Sequence, residues 1–361
     1  MMKKYLLFLL APLVLQGQID RSALDREIAA ATTKGFNGVI LVADHSRIIA
    51  HRAIGYREYA LKIPLKKTDI FELASVSKQF TAMIIMMLQE KKLLDYDEPV
   101  SKYLDIPYPH ITIRHLLTHT GGLPDYQAIM DQYWDKTKVA SNKEILEYLN
   151  RYDPPRLFEP GARYEYSNTG YVLLASIAEK VTGRDFIELC REWIFHPLKM
   201  RHTDIRTLAQ KKALRNLAIG HLYIPEKQTY LRADSFPSSN YTIWLGNRKG
   251  PGRISSTAKD LLQWDRALYR NELVGSGTLQ QAYTPMKLNN GSLSPYGFGW
   301  ELGKLQDKHG RMVFHTGDNP GYATRIVRFL DKERTLILLS NNAFAGMPAF
   351  ADALETIINE K

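Results

Sequence analysis

Apolar residues recur along the chain with two different periods, and the switches between them mark its organisation. From Asp20 to Thr32 the period is helical: Leu24, Ile28 and Ala31 share a face, and Asp20 or Ser22 can cap the start. Two strand-like runs follow, Gly38 to Ala43 and Arg47 to Ala53, separated by the polar Asp44-His45-Ser46, which predicts a hairpin. After a loop at Pro64 to Asp69 the helical period returns. Ser77 to Lys92 carries Met83, Met86, Met87 and Leu88 on its buried side, with the methionines read as packing. Helical segments continue to about residue 285, at Ile111 to Leu117, Asn142 to Tyr152, Tyr171 to Thr182, Asp185 to Phe195 and Thr257 to Tyr269. Between Tyr223 and Arg253 no period survives, and this stretch is read as a long loop that shapes a cleft. Strand signals reappear at Met312 to Phe314, Ala323 to Leu330 and Thr335 to Ser340, and a helix from Pro348 to Asn359 closes the chain.

Strands at both ends and helices between them predict an α/β (α+β) fold. One antiparallel sheet is assembled from the two ends (about 19–74 and 286–361), with flanking helices and an inserted helical part (about 75–285). Hydrophobic content of 45% and charged content of 24% are ordinary for a globular chain. Residues 1–18 stand apart. Lys3 and Lys4 precede an apolar run from Tyr5 to Leu15, and Gln16-Gly17-Gln18 offers a small residue for cleavage, the pattern of an export signal. The expectation is an exported chain, periplasmic or secreted in a bacterium, with no membrane span after the signal is removed. The single cysteine, Cys190, cannot form an internal disulfide and is read as a buried, inert thiol. An exported chain without disulfides fits a bacterial envelope. The net charge of +10 is scattered rather than gathered on one element, which argues against a nucleic-acid partner.

Three stretches carry chemistry. In Phe71 to Ala82, Ser75 and Lys78 fall one turn apart on an apolar helical face. A lysine there loses hydration, its pKa falls, and its amine can activate the serine hydroxyl. Ser256 and Lys259 repeat the spacing. Downstream, Tyr166 and Asn168 lie on a turn-rich bend before a helix. A tyrosinate beside a lysine can take a serine's proton, and an asparagine amide can hold a carbonyl, although Asn168 can also be read as a simple helix cap. Tyr148-Leu149-Asn150 and Tyr269-Arg270-Asn271 share this pattern but lie on predicted helices. Finally, His315-Thr316-Gly317-Asp318 directly follows the short strand at Met312. The glycine is read as letting a substrate approach the strand edge, with His315 and Thr316 presenting polar side chains to it. His119-Thr120-Gly121 repeats the tripeptide.

Other chemistries fit less well. His115 and His119 have helical spacing without a His-Glu-x-x-His motif, so no metal is expected. Ser75 lacks the flanking glycines of a nucleophile elbow, and no glycine-rich phosphate loop or other cofactor signature is present.

Taken in order, Ser75-Val76-Ser77-Lys78, Tyr166-Ser167-Asn168 and His315-Thr316-Gly317 resemble the serine β-lactamase and penicillin-binding protein family, in particular its class C β-lactamase and D-Ala-D-Ala peptidase and esterase branch. The supporting stretches are Ile113 to Pro124, Phe158 to Gly183 and Ile254 to Leu261, and the likeness runs from about residue 20 to the carboxyl terminus. It implies a β-lactamase/transpeptidase-like fold. Ser75 would form an acyl-enzyme, Lys78 and Tyr166 would share the proton work, and Asn168 and His315 would orient the substrate. The backbone N–H groups of Ser75 and Asp318 would bind the oxyanion. The resemblance also makes Ser256 or Thr257 a helix cap and His119-Thr120-Gly121 a structural turn.

Two departures bear on the substrate, a small molecule or peptide. Many β-lactamases carry lysine where His315 stands, and a histidine is mostly neutral at pH 7. Asp318 stands where the family usually has a small residue. Its carboxylate either favours an amine-bearing substrate or turns away into solvent. The leading expectation is hydrolysis of D-amino-acid-containing peptides or esters. A class C-like β-lactamase, a small-ester hydrolase and a non-hydrolytic penicillin-binding sensor are the alternatives, and the oligomeric state is left open.

Overall fold

The structure, a computed structural model, describes residues 18–45, 47–303 and 310–360. The export segment read at residues 1–18 therefore lies, but for Gln18, outside the described residues, as does Ser46 of the first hairpin turn.

A six-stranded antiparallel sheet organises the fold. Its strands are β1 (Gly38–Asp44), β2 (Arg47–Ile54), β3 (Glu301–Leu302), β4 (Met312–Asn319), β5 (Tyr322–Phe329) and β6 (Arg334–Ser340), in the spatial order β3-β4-β5-β6-β1-β2. β1 pairs with β6, Gly38 opposite Ser340 and Asp44 opposite Arg334, so the two ends of the chain meet inside the sheet as expected. Along β1, Val39, Leu41 and Ala43 enter one hydrophobic cluster while Ile40 and Val42 enter another. Both faces are covered, which is why the strand reads as an unbroken apolar run.

One face carries the terminal helices α1 (Arg21–Thr33) and α5 (Met347–Asn359) through Leu24, Ile28, Leu354 and Ile358. The other face meets the helical part, in which α2 (Lys78–Glu90), α3 (Asn168–Thr182) and α4 (Ala258–Tyr269) share a core with Ile326, Ile337 and Leu339. A buried ion pair ties α4 to this face. Arg328 Nε lies 2.7 Å from Asp265 Oδ1, and Thr335 donates to the other carboxylate oxygen at 2.6 Å. Satisfying both carboxylate oxygens in this way is what makes burial of such a pair tolerable.

Local signals account for most helix ends. The Asp20 carboxylate accepts from the N–H groups of Ser22 and Ala23, and Thr257 caps α4 by accepting from Asp260 N–H. Ser256 is fully buried and bonded to Thr203 at 2.7 Å, so the repeated Ser-x-x-Lys spacing is structural. Cys190 is buried, and burial raises its thiol pKa, which keeps it protonated.

Several expectations are corrected. The strand at Met312 does not stop at Phe314; it runs through His315 and Asp318 to Asn319. Polar side chains weaken the strand pattern there, and pairing with β5 overrides it. The 223–253 segment is not simply a loop. It carries most of a hairpin (His221–Ile224 with Thr229–Arg232) and a short helix, Tyr241–Trp244. A helix at Tyr126–Tyr133 also went unread, as did a small sheet of Phe71–Glu72, Ile254–Ser256 and Asp204–Ile205. Strands of two or three residues are too short to show a period. Among the described residues, no helix is long and apolar enough to cross a membrane.

Candidate active site

The nucleophile candidate sits on a strained turn. Ala74 has φ of +48°, a left-handed conformation that non-glycine residues seldom adopt, and Ala74–Ser77 forms a 3-10 turn leading into α2. Residues three apart eclipse one another in a 3-10 turn, so Ser75 and Lys78 are brought together by backbone geometry alone. Lys78 Nζ lies 3.1 Å from Ser75 Oγ, 2.8 Å from Asn168 Oδ1 and 2.9 Å from the Pro251 carbonyl oxygen.

Lys78 is fully buried. Burial first, and then the Arg248 guanidinium, pull its pKa well below the ordinary lysine value. The contacts suit a neutral amine. Asn168 Oδ1 and the Pro251 carbonyl can only accept, so they take its two N–H groups and leave the lone pair for the Ser75 hydroxyl proton.

Tyr166 completes the group. Lys78 Nζ stands 4.7 Å from its ring centroid. Although the ring is 39% exposed, its hydroxyl end is crowded; burial pushes the phenol's pKa up, and the hydrogen bond with Ser75 draws it partly back. The bend that presents Tyr166 is held from below. His119 Nδ1 accepts from Ser167 N–H at 3.1 Å, and its ring centroid lies 4.3 Å from that of Tyr166. Accepting through Nδ1 requires a neutral imidazole, and burial keeps His119 neutral by pulling its pKa well down. His119 does lie in a turn as read, but it also supports the tyrosine, a role that needed the fold to be seen. Asn168 is not the helix cap: Ser167 caps α3 by accepting from Gly170 N–H, and Asn168 is the first helical residue.

The edge of β4 forms the opposite wall. β3 pairs only with Val313 and Phe314, so among the described residues the outer edge from His315 to Asn319 has no strand partner. Phe314 faces Glu301 across that edge, and the alternation of an antiparallel ladder turns the backbone groups of Thr316 and Asp318 the same way. The Asp318 N–H is thereby turned toward the open edge of the sheet.

Not every candidate reaches the cleft. Ser75, Asn168 and Asp318 line one pocket together with Gln127, Tyr241 and Arg248. His315 does not present a polar side chain to a substrate. It is 1% exposed, its Nε2 bonds the Tyr296 hydroxyl at 2.7 Å, and burial, with Lys78 nearby, pushes its pKa down to about 3. It lies beneath Tyr166 as an uncharged support, with ring centroids 6.2 Å apart. Thr316 is turned to Glu301 at 3.3 Å.

Gly317 is needed for a different reason from the one its sequence suggested. A Cβ at this position would stand 2.3 Å from the Leu73 carbonyl oxygen and 2.4 Å from Thr324 Oγ1. The glycine lets β4 close against the turn carrying Ser75, rather than admitting a substrate. Gly317→Ala is expected to push this wall outward and lower kcat/KM by about 100-fold, with a fall in melting temperature. Steady-state kinetics and thermal unfolding check this, and unaltered kinetics would show that the close approach is not required.

The carboxylate of Asp318 belongs to the cleft. Desolvation raises its pKa, and the Tyr241 phenol on the same wall is pushed up by burial, drawn partly back by Arg248 and pushed up again by the Asp318 charge. Arg248 was not anticipated as a wall residue. The sequence marks only its segment, by the missing period between Tyr223 and Arg253.

Comparison with known proteins identifies the family. The chain is 41% identical over 309 residues to penicillin-binding protein 4* of Bacillus subtilis (strain 168), covering 85% of this chain and 68% of that one. It is 26% identical over 329 residues to a D-aminopeptidase of Brucella anthropi, covering 90% of this chain and 60% of that protein's length. The fold superposes on the crystal structure of a penicillin-binding protein from Bacillus halodurans with a TM-score of 0.79 at 25% identity, covering 92% of this chain and 98% of that one. The Beta-lactamase family model matches residues 24–357, so nearly the whole described chain is accounted for, and it belongs to the Beta-lactamase family of serine hydrolases.

Proposed function

We propose that the chain is an exported serine hydrolase that works through an acyl-enzyme on Ser75, with D-amino-acid-containing peptides or esters as substrates. The observation that carries the reading is the Lys78 amine, buried, low in pKa and 3.1 Å from the Ser75 hydroxyl. Ser75 Oγ attacks the scissile carbonyl while its proton passes to the Lys78–Tyr166 pair, which titrates as one unit. The N–H groups of Ser75 and Asp318 hold the oxyanion, and the Asn168 amide nitrogen, its oxygen occupied by Lys78, holds the substrate. The pair then returns the proton to the leaving group, and water releases the acyl group by the reverse route.

The substrate class is supported by charge. His315 offers no cation where many β-lactamases carry lysine, and Asp318 places a carboxylate in the same pocket as Ser75 that attracts a free amine. The relatives named D-aminopeptidases and D-amino acid amidases point the same way. Export rests on the pattern in residues 1–18.

The test is turnover of a D-amino-acid amide, a D-Ala-D-Ala peptide, a cephalosporin and a p-nitrophenyl ester. Faster cephalosporin turnover than peptide, amide or ester cleavage would overturn the proposed substrate class. Within the same panel, Asp318→Asn is expected to lower kcat/KM for substrates with a free α-amine about tenfold, chiefly through KM, and to spare their N-acylated counterparts. Equal losses on both would remove the charge argument.

A further inference from the structure

Next to the Ser75 pocket lies a second chamber of about 440 Å³, and the two share Arg248 and Asn319 as a common wall. Apolar residues such as Leu214, Leu217 and Leu245 form part of its lining, but its charges are unbalanced. Two of its cations are matched: Lys211 pairs with Glu72 at 2.8 Å and Arg232 with Asp234 at 2.9 Å.

Arg248, which also lines the Ser75 pocket, and Arg253 have no such direct partner. Arg253 is only 8% exposed, and its guanidinium donates to the backbone carbonyls of Arg248 and Arg206 at 3.1 and 2.8 Å. Arg248 donates to the Tyr126 hydroxyl at 2.6 Å, while its Nε is buried without a partner. Neither arginine forms an ion pair with a carboxylate among the described residues; desolvation draws the Arg253 pKa down to about 10, and the charge of Glu72, which is paired with Lys211, only partly offsets this. Guanidinium groups held out of water without a carboxylate in direct contact are costly, and a bound anion offsets that cost.

These groups are also fixed in place. The loop is anchored by Thr81, which donates to the Gly250 carbonyl at 2.7 Å, and by Asn142, which bonds both backbone groups of Lys249. Gly250 has φ of +107°, and a Cβ there would meet the Tyr171 carbonyl oxygen at 2.0 Å, so the backbone is locked against α3. A rigid guanidinium pair is pre-organised for a carboxylate.

The direction follows from the proton path. The leaving group must receive its proton from Lys78 and Tyr166, and Tyr166 stands by His315 at the beginning of the open β4 edge. Asn319 and Pro320, at the other end of that edge, line the chamber, so the acyl half of the substrate, lying away from the leaving group, is directed toward it.

We propose that this chamber is an acyl-side subsite for a carboxylate carried on the substrate beyond its scissile carbonyl, held by Arg248 and Arg253. The assignment of an acyl side rests on Ser75 being the nucleophile; the existence of an anion site does not.

The test uses two p-nitrophenyl esters of adipic acid, one with a free distal carboxylate and one with that carboxylate as its methyl ester. The expected result is an approximately tenfold higher kcat/KM for the free acid in the native chain. This preference falls to about unity in Arg248→Gln and in Arg253→Gln, and it shrinks with rising salt. Because the readout is a ratio, a change in the chemical step shared by both esters cancels. Equal turnover of the two esters by the native chain, or an unchanged ratio in both variants, overturns the proposal.

A second arm separates the two readings. Adipate binding is measured by calorimetry in Ser75→Ala and in Ser75→Ala with Arg248→Gln. Binding lost only in the double variant supports the chamber even if Ser75-dependent turnover fails. No binding in Ser75→Ala, or tighter binding of inorganic phosphate than of adipate, counts against a carboxylate site.

Discussion

Ser75→Ala is expected to abolish both acyl-enzyme formation and turnover, lowering kcat by at least about 10⁴-fold on every substrate. No neighbouring serine can replace it. Ser77 is buried and its Oγ accepts from Ile254 N–H, while Ser256 is fully buried against Thr203. The substitution removes a half-buried hydroxyl at the end of a turn, so the fold should be retained and the melting temperature little altered. The measurement is labelling with a fluorescent penicillin, read on a gel and by intact mass, with Ser256→Ala as the control that keeps full labelling. A mass adduct persisting in Ser75→Ala would place the nucleophile elsewhere.

Lys78→Met is the second large effect, with an expected loss of about 10³-fold in the acylation rate. The native pH profile should rise from the acid side, because the working amine is the neutral form, and level off above the apparent pKa of the Lys78–Tyr166 pair. The same displaced pKa makes a stability prediction. The amine titrates at its ordinary value when unfolded but well below it when folded, so between those two values the unfolded chain binds the extra proton. Native stability relative to Lys78→Met therefore increases as pH rises from neutral toward the ordinary lysine value, and falls as pH drops. Stopped-flow acylation across pH, together with melting temperatures of both proteins at pH 7 and pH 9.5, would reveal these trends. A difference in melting temperature independent of pH would mean that Lys78 stays charged in the folded chain.

These effects concentrate on groups that are close in sequence. Ser75 and Lys78 are three residues apart, so a single turn of backbone unites them whatever the rest of the fold does. Tyr166 and Asn168 likewise share one bend. The period of the apolar residues was enough for the central strands and long helices, because burial on both faces of β1 or one face of α2 leaves a pattern in the chain itself. The elements that went unread are short or polar. The outer half of β4 owes its conformation to pairing with β5 rather than to its own residues.

The environment of each site residue was a different matter. A histidine at 315 has the same letter whether it meets a substrate or is sealed beneath a tyrosine, and only packing against Tyr296 and Tyr166 makes it the latter. His119 became a support for the Tyr166 bend because a turn 48 residues upstream folds beneath it. Arg248 entered the wall because Asn142 and Thr81 anchor its loop from two separate helices. Gly317 is required by Leu73 and Thr324, which are remote from it in sequence or across a strand pair.

The amino-acid sequence by itself determined the close spacing of Ser75 and Lys78, the family and the antiparallel sheet built from both ends, since local spacing and apolar period are properties of neighbouring residues. Tertiary structure alone decided which groups face the cleft, which are neutral, and where its unmatched positive charge lies. Burial and electrostatic environment depend on atoms far apart in the chain, and so no local pattern records them.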